Sequence, residues 1–282
     1  MRRAPARDSL STSRAHCGNH RATMLTGTYT ALATPFRDDA FDEGAFQTLI
    51  DSQLEAGVDG IVPVGTTGES PTLDHAEHML VIEKAVEFAS GRCRVIAGTG
   101  SNSTREAVAL TRDAEAAGVD AALLVAPYYN KPSQDGLLRH FLAVAGATSL
   151  PLVLYSIPGR CGVEIAVDTV ARLAAECPRI RCLKEAGGTP ERVSMLRRAL
   201  PDDFTILSGD DSLTLPFLSV GASGVISVAS NVIPAQVAAM VAAHAAGRAD
   251  EARELHLRYY QLFRDLFIET NPVPVKFALA LI

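Results

Sequence analysis

The chemistry of this chain is easiest to approach through its lysines, because only four of its 26 basic residues are of that type: Lys84, Lys131, Lys184 and Lys276. One of them sits in an apolar strand-like run. In Ile180-Arg-Cys-Leu-Lys-Glu-Ala, two-residue alternation puts Cys182, Lys184 and Ala186 on one face and Arg181, Leu183 and Glu185 on the other. If the first face is internal, desolvation disfavours the ammonium and lowers its pKa. The neutral amine that remains can attack a carbonyl and form an imine. The alternative is a strand-end lysine paired with an acid in solvent. Tyr155 ends a second run, Pro151-Leu-Val-Leu-Tyr, and can relay protons beside an amine once hydrogen bonds lower the cost of ionising its hydroxyl. Arg160, in the Pro-Gly turn that follows, offers a fork of donors to a carboxylate. Taken singly these are a core tyrosine and a surface arginine. Together with Lys184 they suit carbonyl chemistry on an anionic substrate.

Three further turns follow apolar runs. Gly65-Thr66-Thr67-Gly68-Glu69-Ser70 offers backbone N–H groups and hydroxyls to a small carboxylate, and lacks the lysine of a phosphate-binding loop. Pro127-Tyr128-Tyr129-Asn130-Lys131-Pro132 carries two tyrosines, which a rigid turn with one packed ring explains equally well. Asp210 and Asp211 stand in SGDDS. Helix N-capping is the preferred reading for that pair, with magnesium binding the alternative.

Positioning such residues requires a repeated scaffold. Eight short apolar runs alternate with helix-period segments: Thr28–Thr34, Gly60–Val64, Arg94–Ala97, Ala121–Ala126, Leu152–Ile157, Ile180–Lys184, Phe204–Ser208 and Gly224–Val228. Their spacing is about 28 residues, one βα unit, and eight is the number that closes a (β/α)8 barrel of the TIM type. The segment Glu43–Ala56 shows the helical period, with Phe46, Leu49, Ile50 and Gln53 or Leu54 on one face. The echoes AGVDGIVPV, AGVDAALLV and GASGVISV each place a helix-ending glycine, Gly57, Gly118 or Gly221, just before a strand. A doubly wound open sheet is the alternative, but the ATPF turn at Ala33–Phe36 is not the glycine-rich loop such a sheet needs. In a barrel the chemistry lies at the C-terminal strand ends, where all of these turns fall.

Composition bounds the function. The 282 residues are 48% hydrophobic and 21% charged, with a net charge of −6, so no field gathers nucleic acid or an anionic membrane surface. No apolar run reaches membrane-spanning length. Five cysteines, at 17, 93, 161, 177 and 182, form neither a CxxC pair nor a zinc spacing, as expected of a cytoplasmic protein. Residues 1–23 hold five arginines against one acid without an apolar stretch. They read as a disordered extension ahead of Met24, with a transit peptide as the alternative.

The motifs TALATPF, GTTGES, VIAGTGSNST, APYYNKPSQ, YSIPGRCG, CLKEAGG, SGDD and GVISVASN occur in order from about Gly27 to Ile282. In that order and spacing, the chain resembles the dihydrodipicolinate synthase family within the pyruvate-dependent lyases and aldolases. The resemblance implies that Lys184 forms an imine with pyruvate and that Tyr155 is the proton donor and acceptor. Tyr155 would work in a relay with Thr66 and with Tyr129 from a neighbouring subunit. Thr67 and the backbone at Ile226 would hold the pyruvate carboxylate, Arg160 would bind the carboxylate of L-aspartate 4-semialdehyde, and Gly209 would line the same pocket. It further implies a homotetramer, no metal or organic cofactor, and an L-lysine inhibitor site at Ser70, His75, His78, Asn102, Glu106 and Tyr128. A capping box at Ser103–Glu106 and a shared helix face for His75 and His78 are the structural alternatives for that last set.

Two departures from the family pattern stand out. Ser156 follows Tyr155 where the family often has asparagine, which is expected to alter local hydrogen bonding alone. The chain stops at PVPVKFALALI, where the family continues for further helices. The barrel is therefore expected over residues 24–240, followed by a shortened helical segment at 241–282 with exposed apolar surface. A related pyruvate-dependent aldolase acting on N-acetylneuraminate, a sugar acid or 4-hydroxy-2-oxoglutarate, and an inactive lysine-binding paralogue, are the alternative functions.

Overall fold

The computed structural model describes residues 24–282, so the extension at 1–23 falls outside the described residues. Eight parallel strands close into a barrel: β1 (Gly27–Ala31), β2 (Gly60–Val62), β3 (Arg94–Gly98), β4 (Ala121–Val125), β5 (Leu152–Ser156), β6 (Ile180–Glu185), β7 (Thr205–Ser208) and β8 (Gly224–Ser227). Each strand pairs with its neighbours in chain order, and β8 returns to β1 through Gly27↔Gly224. This is the expected (β/α)8 architecture. Around it lie α1 (Glu43–Glu55), α2 (His75–Ala89), α3 (Thr104–Ala117), α4 (Gln134–Ala145), α5 (Val167–Glu176), α6 (Pro190–Ala199), α7 (Thr214–Ser219) and α8 (Pro234–Ala245). Two more helices, α9 (Ala249–Asp265) and α10 (Val273–Leu279), follow.

The two-residue period sorts the strands into an inner and an outer layer. Tyr29, Leu123, Val153, Tyr155, Cys182, Leu207 and Ile226 pack inside the barrel, while Leu154, Leu183 and Ile206 face the helices. Helix α1 buries Phe46, Ile50 and Gln53, and the Gln53 side chain is satisfied there by the Thr30 hydroxyl at 2.7 Å. Gly57, Gly118 and Gly221 all take positive φ (74°, 89° and 104°), the conformation that ends a helix just ahead of the next strand.

Some local details differ from the sequence reading. The first run stops pairing as a strand at Ala31, because Ala33 N–H turns to the Asn231 side chain at 3.1 Å. A two-stranded hairpin, Phe36–Arg37 with Ala40–Phe41, follows. The register between β5 and β6 slips at Leu152/Val153, so the inner and outer alternation holds only from Cys182 onward.

On the outer face beside Lys184, Glu185 is fully buried, and its carboxylate accepts from Arg192 Nε at 2.9 Å and from Gly187 N–H at 2.6 Å. Burial pushes the Glu185 carboxyl up, and the adjoining guanidinium opposes that push. Arg192→Met leaves an uncompensated buried charge. It is expected to lower the unfolding free energy by about 3 kcal/mol in a urea titration.

Candidate active site

Lys184 and Tyr155 are register partners on β6 and β5, both directed inward near the C-terminal strand ends. Each is at most 5% exposed. The Lys184 amine sits 4.3 Å from the centre of the Tyr155 ring. Desolvation is the largest influence on the amine, and the Arg160 charge acts in the same direction. The nearby Asp211 carboxylate opposes both, and the balance lowers the pKa to about 8. A useful fraction of the amine is therefore neutral near physiological pH. Burial pushes the Tyr155 hydroxyl up to about 12, offset in part by its hydrogen bond with Thr66. Tyr155 thus holds its proton and can donate it.

Gly209, just past β7, explains how the lysine fits. A Cβ at Gly209 would stand 2.9 Å from Ala186 Cβ and 3.1 Å from Lys184 Cε. Gly209→Ala is expected to displace the lysine and lower kcat by about tenfold, with secondary structure unchanged by circular dichroism.

Asp211 is 2% exposed and accepts from Val228 N–H at 3.0 Å, from Ala229 N–H at 2.9 Å and from the Ser227 hydroxyl. Its carboxylate is therefore built into the end of β8. Asp210 instead accepts from the N–H groups of Ser212 and Leu213, which forms the turn that leads into α7. Among the described residues, no cluster of three histidine, cysteine or acidic side chains is arranged to hold a metal ion.

A cavity of about 240 Å³ opens over this end of the barrel, walled by Thr66, Ser70, Tyr128, Tyr155 and Arg160 among others. Lys184 is not among its lining residues but touches the Tyr155 ring, which is. A second cavity, of about 300 Å³, lies at the N-terminal strand ends between Asp59, Arg94 and Asp120. Lys184 and Tyr155 lie at the opposite end, beside the smaller space, where barrel enzymes place their chemistry.

Thr67 is buried and accepts from Asn271 Nδ2 at 3.1 Å, while Arg160 donates to the Asn271 carbonyl at 3.1 Å. Ile226 packs within the barrel interior on β8. Tyr129 is not brought into this site by its own chain. It is 89% exposed with a φ of +70° and projects outward from the turn after β4.

The residues expected to bind L-lysine are partly assembled. Ser70 and Tyr128 line the cavity, and the Glu106 charge acts on both Tyr128 and His78. The His78 ring is buried and held by the Gly98 carbonyl at 2.9 Å, and the Asn102 carbonyl accepts from Asn130. His75 is at the surface, 3.1 Å from Asp113. The capping box expected at Ser103–Glu106 is only half formed, because the Glu106 carboxylate turns to the Ser101 hydroxyl. The full capping box of this region is Asp74 with Glu77. Ser156 uses its hydroxyl to accept from Ile165 N–H at 3.3 Å.

Residues 24–282 match the Dihydrodipicolinate synthetase family. The chain belongs to that family. The 4-hydroxy-tetrahydrodipicolinate synthase of Persephonella marina is 52% identical over 255 residues, 90% of this chain and 87% of the relative. The structure of the same-named enzyme from Methylacidiphilum fumariolicum SolV superposes with a TM-score of 0.91 at 58% identity, covering 91% of this chain and 86% of that one. Two ligand-bound structures of family members are also similar. The enzyme from Acinetobacter baumannii in complex with pyruvate has a TM-score of 0.88 at 43% identity, covering 90% and 88% of the two chains. The enzyme from Cyanidioschyzon merolae with lysine bound has a TM-score of 0.88 at 44% identity, covering 91% and 88%. No helix among the described residues is long and apolar enough to cross a membrane.

Asn271 and the inward carboxylate of Asp211 escaped the sequence reading. An asparagine ahead of proline in NPVPVK is the only local signal for the first.

Proposed function

We propose that the chain is a 4-hydroxy-tetrahydrodipicolinate synthase, a Schiff-base lyase that condenses pyruvate with L-aspartate 4-semialdehyde. The observation that carries this reading is the buried Lys184 amine, its pKa lowered to about 8, in contact with the protonated Tyr155. The amine adds to the pyruvate carbonyl, and loss of water gives a protonated imine. Removal of a methyl proton gives an enamine whose carbon attacks the aldehyde, and the aldehyde oxygen takes up a proton. The substrate's own amino group then displaces Lys184 by transimination, closing the ring and freeing the enzyme. Tyr155, hydrogen-bonded to Thr66, supplies and accepts the protons. The imine is the electron sink, so this scheme needs neither metal nor organic cofactor.

Thr67, with the backbone at Ile226, holds the pyruvate carboxylate, and Gly209 leaves room for the lysine stem. Arg160 takes the carboxylate of the aldehyde substrate and favours the synthase over sugar-acid aldolases. Tyr129, projecting into solvent, completes the proton relay of a second copy within a homotetramer. The free cysteines among the described residues, Cys93, Cys161, Cys177 and Cys182, fit a reducing cytoplasm.

The direct test is a coupled assay with pyruvate and either L-aspartate 4-semialdehyde or a sugar-acid aldehyde. Turnover confined to the semialdehyde supports the reading, and turnover of the sugar aldehyde alone overturns it. For L-lysine, the cavity side chains Ser70 and Tyr128, with Glu106 beside them, form the inhibitor site. Glu106→Ala is expected to raise the half-inhibitory lysine concentration by about tenfold or more. Full retention of lysine inhibition in that variant would contradict the assignment.

A further inference from the structure

The segment after α9 crosses the open end of the barrel and touches two loops that carry substrate-binding groups. Asn271, 6% exposed, makes contacts on two sides. Its Nδ2 donates to Thr67 Oγ1 at 3.1 Å, and its backbone carbonyl accepts from Arg160 Nη2 at 3.1 Å. Its Oδ1 is buried without a protein partner. The segment is pinned two ways further along. Lys276 donates to the Thr34 carbonyl at 2.9 Å and pairs with Glu69, which lies in the same loop as Thr67. The Lys276 ammonium also sits 4.5 Å from the Phe36 ring centre, and Val275 is fully buried.

A threonine hydroxyl has one proton to give and two lone pairs to offer. With one lone pair engaged by the Asn271 amide, the Thr67 proton is left to donate elsewhere, and the pyruvate carboxylate is the acceptor proposed for it above. The Asn271 carbonyl occupies one of the five Arg160 N–H donors and fixes the position of the guanidinium, leaving the others for a second carboxylate. We propose that Asn271 is a positioning residue for both substrates: its amide sets the direction in which Thr67 donates, and its carbonyl holds Arg160 over the cavity. This rests on the lyase reading.

The test uses Asn271→Asp, which keeps the shape and reverses the polarity at Nδ2, beside Asn271→Ala. Imine formation is followed by borohydride trapping and intact mass across a pyruvate titration, with folding checked by thermal melting. Asn271→Asp is expected to raise the half-saturating pyruvate concentration by more than about tenfold, and Asn271→Ala by a smaller factor. The adduct at saturating pyruvate should stay at the wild-type level in both, a split that general loosening of the structure would not produce. In a Thr67→Val background the aspartate substitution should add little, because the residue acts through that hydroxyl. Lys276→Met, which releases the segment without touching Asn271, should shift half-saturation in the same direction. An Asn271→Asp protein with wild-type half-saturation would mean that Thr67 donates to position 271, and would overturn the proposal. A wild type that traps no pyruvate would overturn the lyase reading itself, which distinguishes the two failures.

Discussion

Lys184→Ala is expected to lower kcat/KM for the condensation by about 10⁴-fold or more, since the residual protein can still bind substrates but has no amine with which to form the imine. Lys184→Arg should be nearly as inactive, because a guanidinium remains protonated and cannot add to the carbonyl. In the wild type, activity should rise as pH passes through about 8, where the buried amine loses its proton. The same burial has a signature in stability. The folded pKa lies below the ordinary lysine value of 10.5, so the folded state binds this proton less readily than the unfolded chain. The stability associated with this group is present above pH 10.5 and falls as the pH drops, with the loss complete below about pH 8. Lys184→Met should therefore raise Tm at pH 7, and the gain should vanish above pH 10.5. A methionine variant that is inactive yet more stable at pH 7 is the expected combination for a charge buried for chemistry.

Tyr155→Phe is the second large effect, expected to lower kcat by about 10²- to 10³-fold. The phenyl ring keeps the packing against the lysine amine, while the proton carrier is lost. Tyr155 is at 4% exposure among inner-layer side chains and gives up one hydroxyl, so Tm should change little. The imine should still form, more slowly, because the nucleophile is intact. The deficit should then fall on the steps after imine formation, where protons leave the methyl carbon and arrive at the aldehyde oxygen. Thr66→Val removes the hydrogen bond that offsets part of the burial effect on Tyr155, and should produce a smaller loss in the same direction.

Much of this arrangement was legible in the chain itself, for reasons that are local. Parallel strands buried on both faces read as apolar runs, and a glycine at positive φ before each of three strands marked the repeat. Alternation from Cys182 to Ala186 depends only on near neighbours and put Lys184 on the same face as those two residues, but that this face is the interior follows only from the closed barrel. The bulge between β5 and β6 lies just ahead of that stretch and leaves its faces intact. The hairpin at Phe36–Phe41 was not legible, since two-residue strands carry no period. Asn271 was hidden for a different reason. Its contacts reach Thr67 and Arg160 across sequence separations of 204 and 111 residues, and only the closed fold brings them together. Asp211 lay in plain sight in SGDD, but its direction, inward onto the β8 end, depends on the turn that Asp210 builds beside it.

Whether Lys184 is the imine-forming nucleophile is tested most directly by intact-mass spectrometry after borohydride reduction in the presence of pyruvate. The wild type should gain one pyruvate-derived adduct per chain, located at Lys184 by peptide mapping and absent from a folded Lys184→Ala protein. A folded wild type that gains no mass, or an adduct that persists in Lys184→Ala, would contradict that role for Lys184.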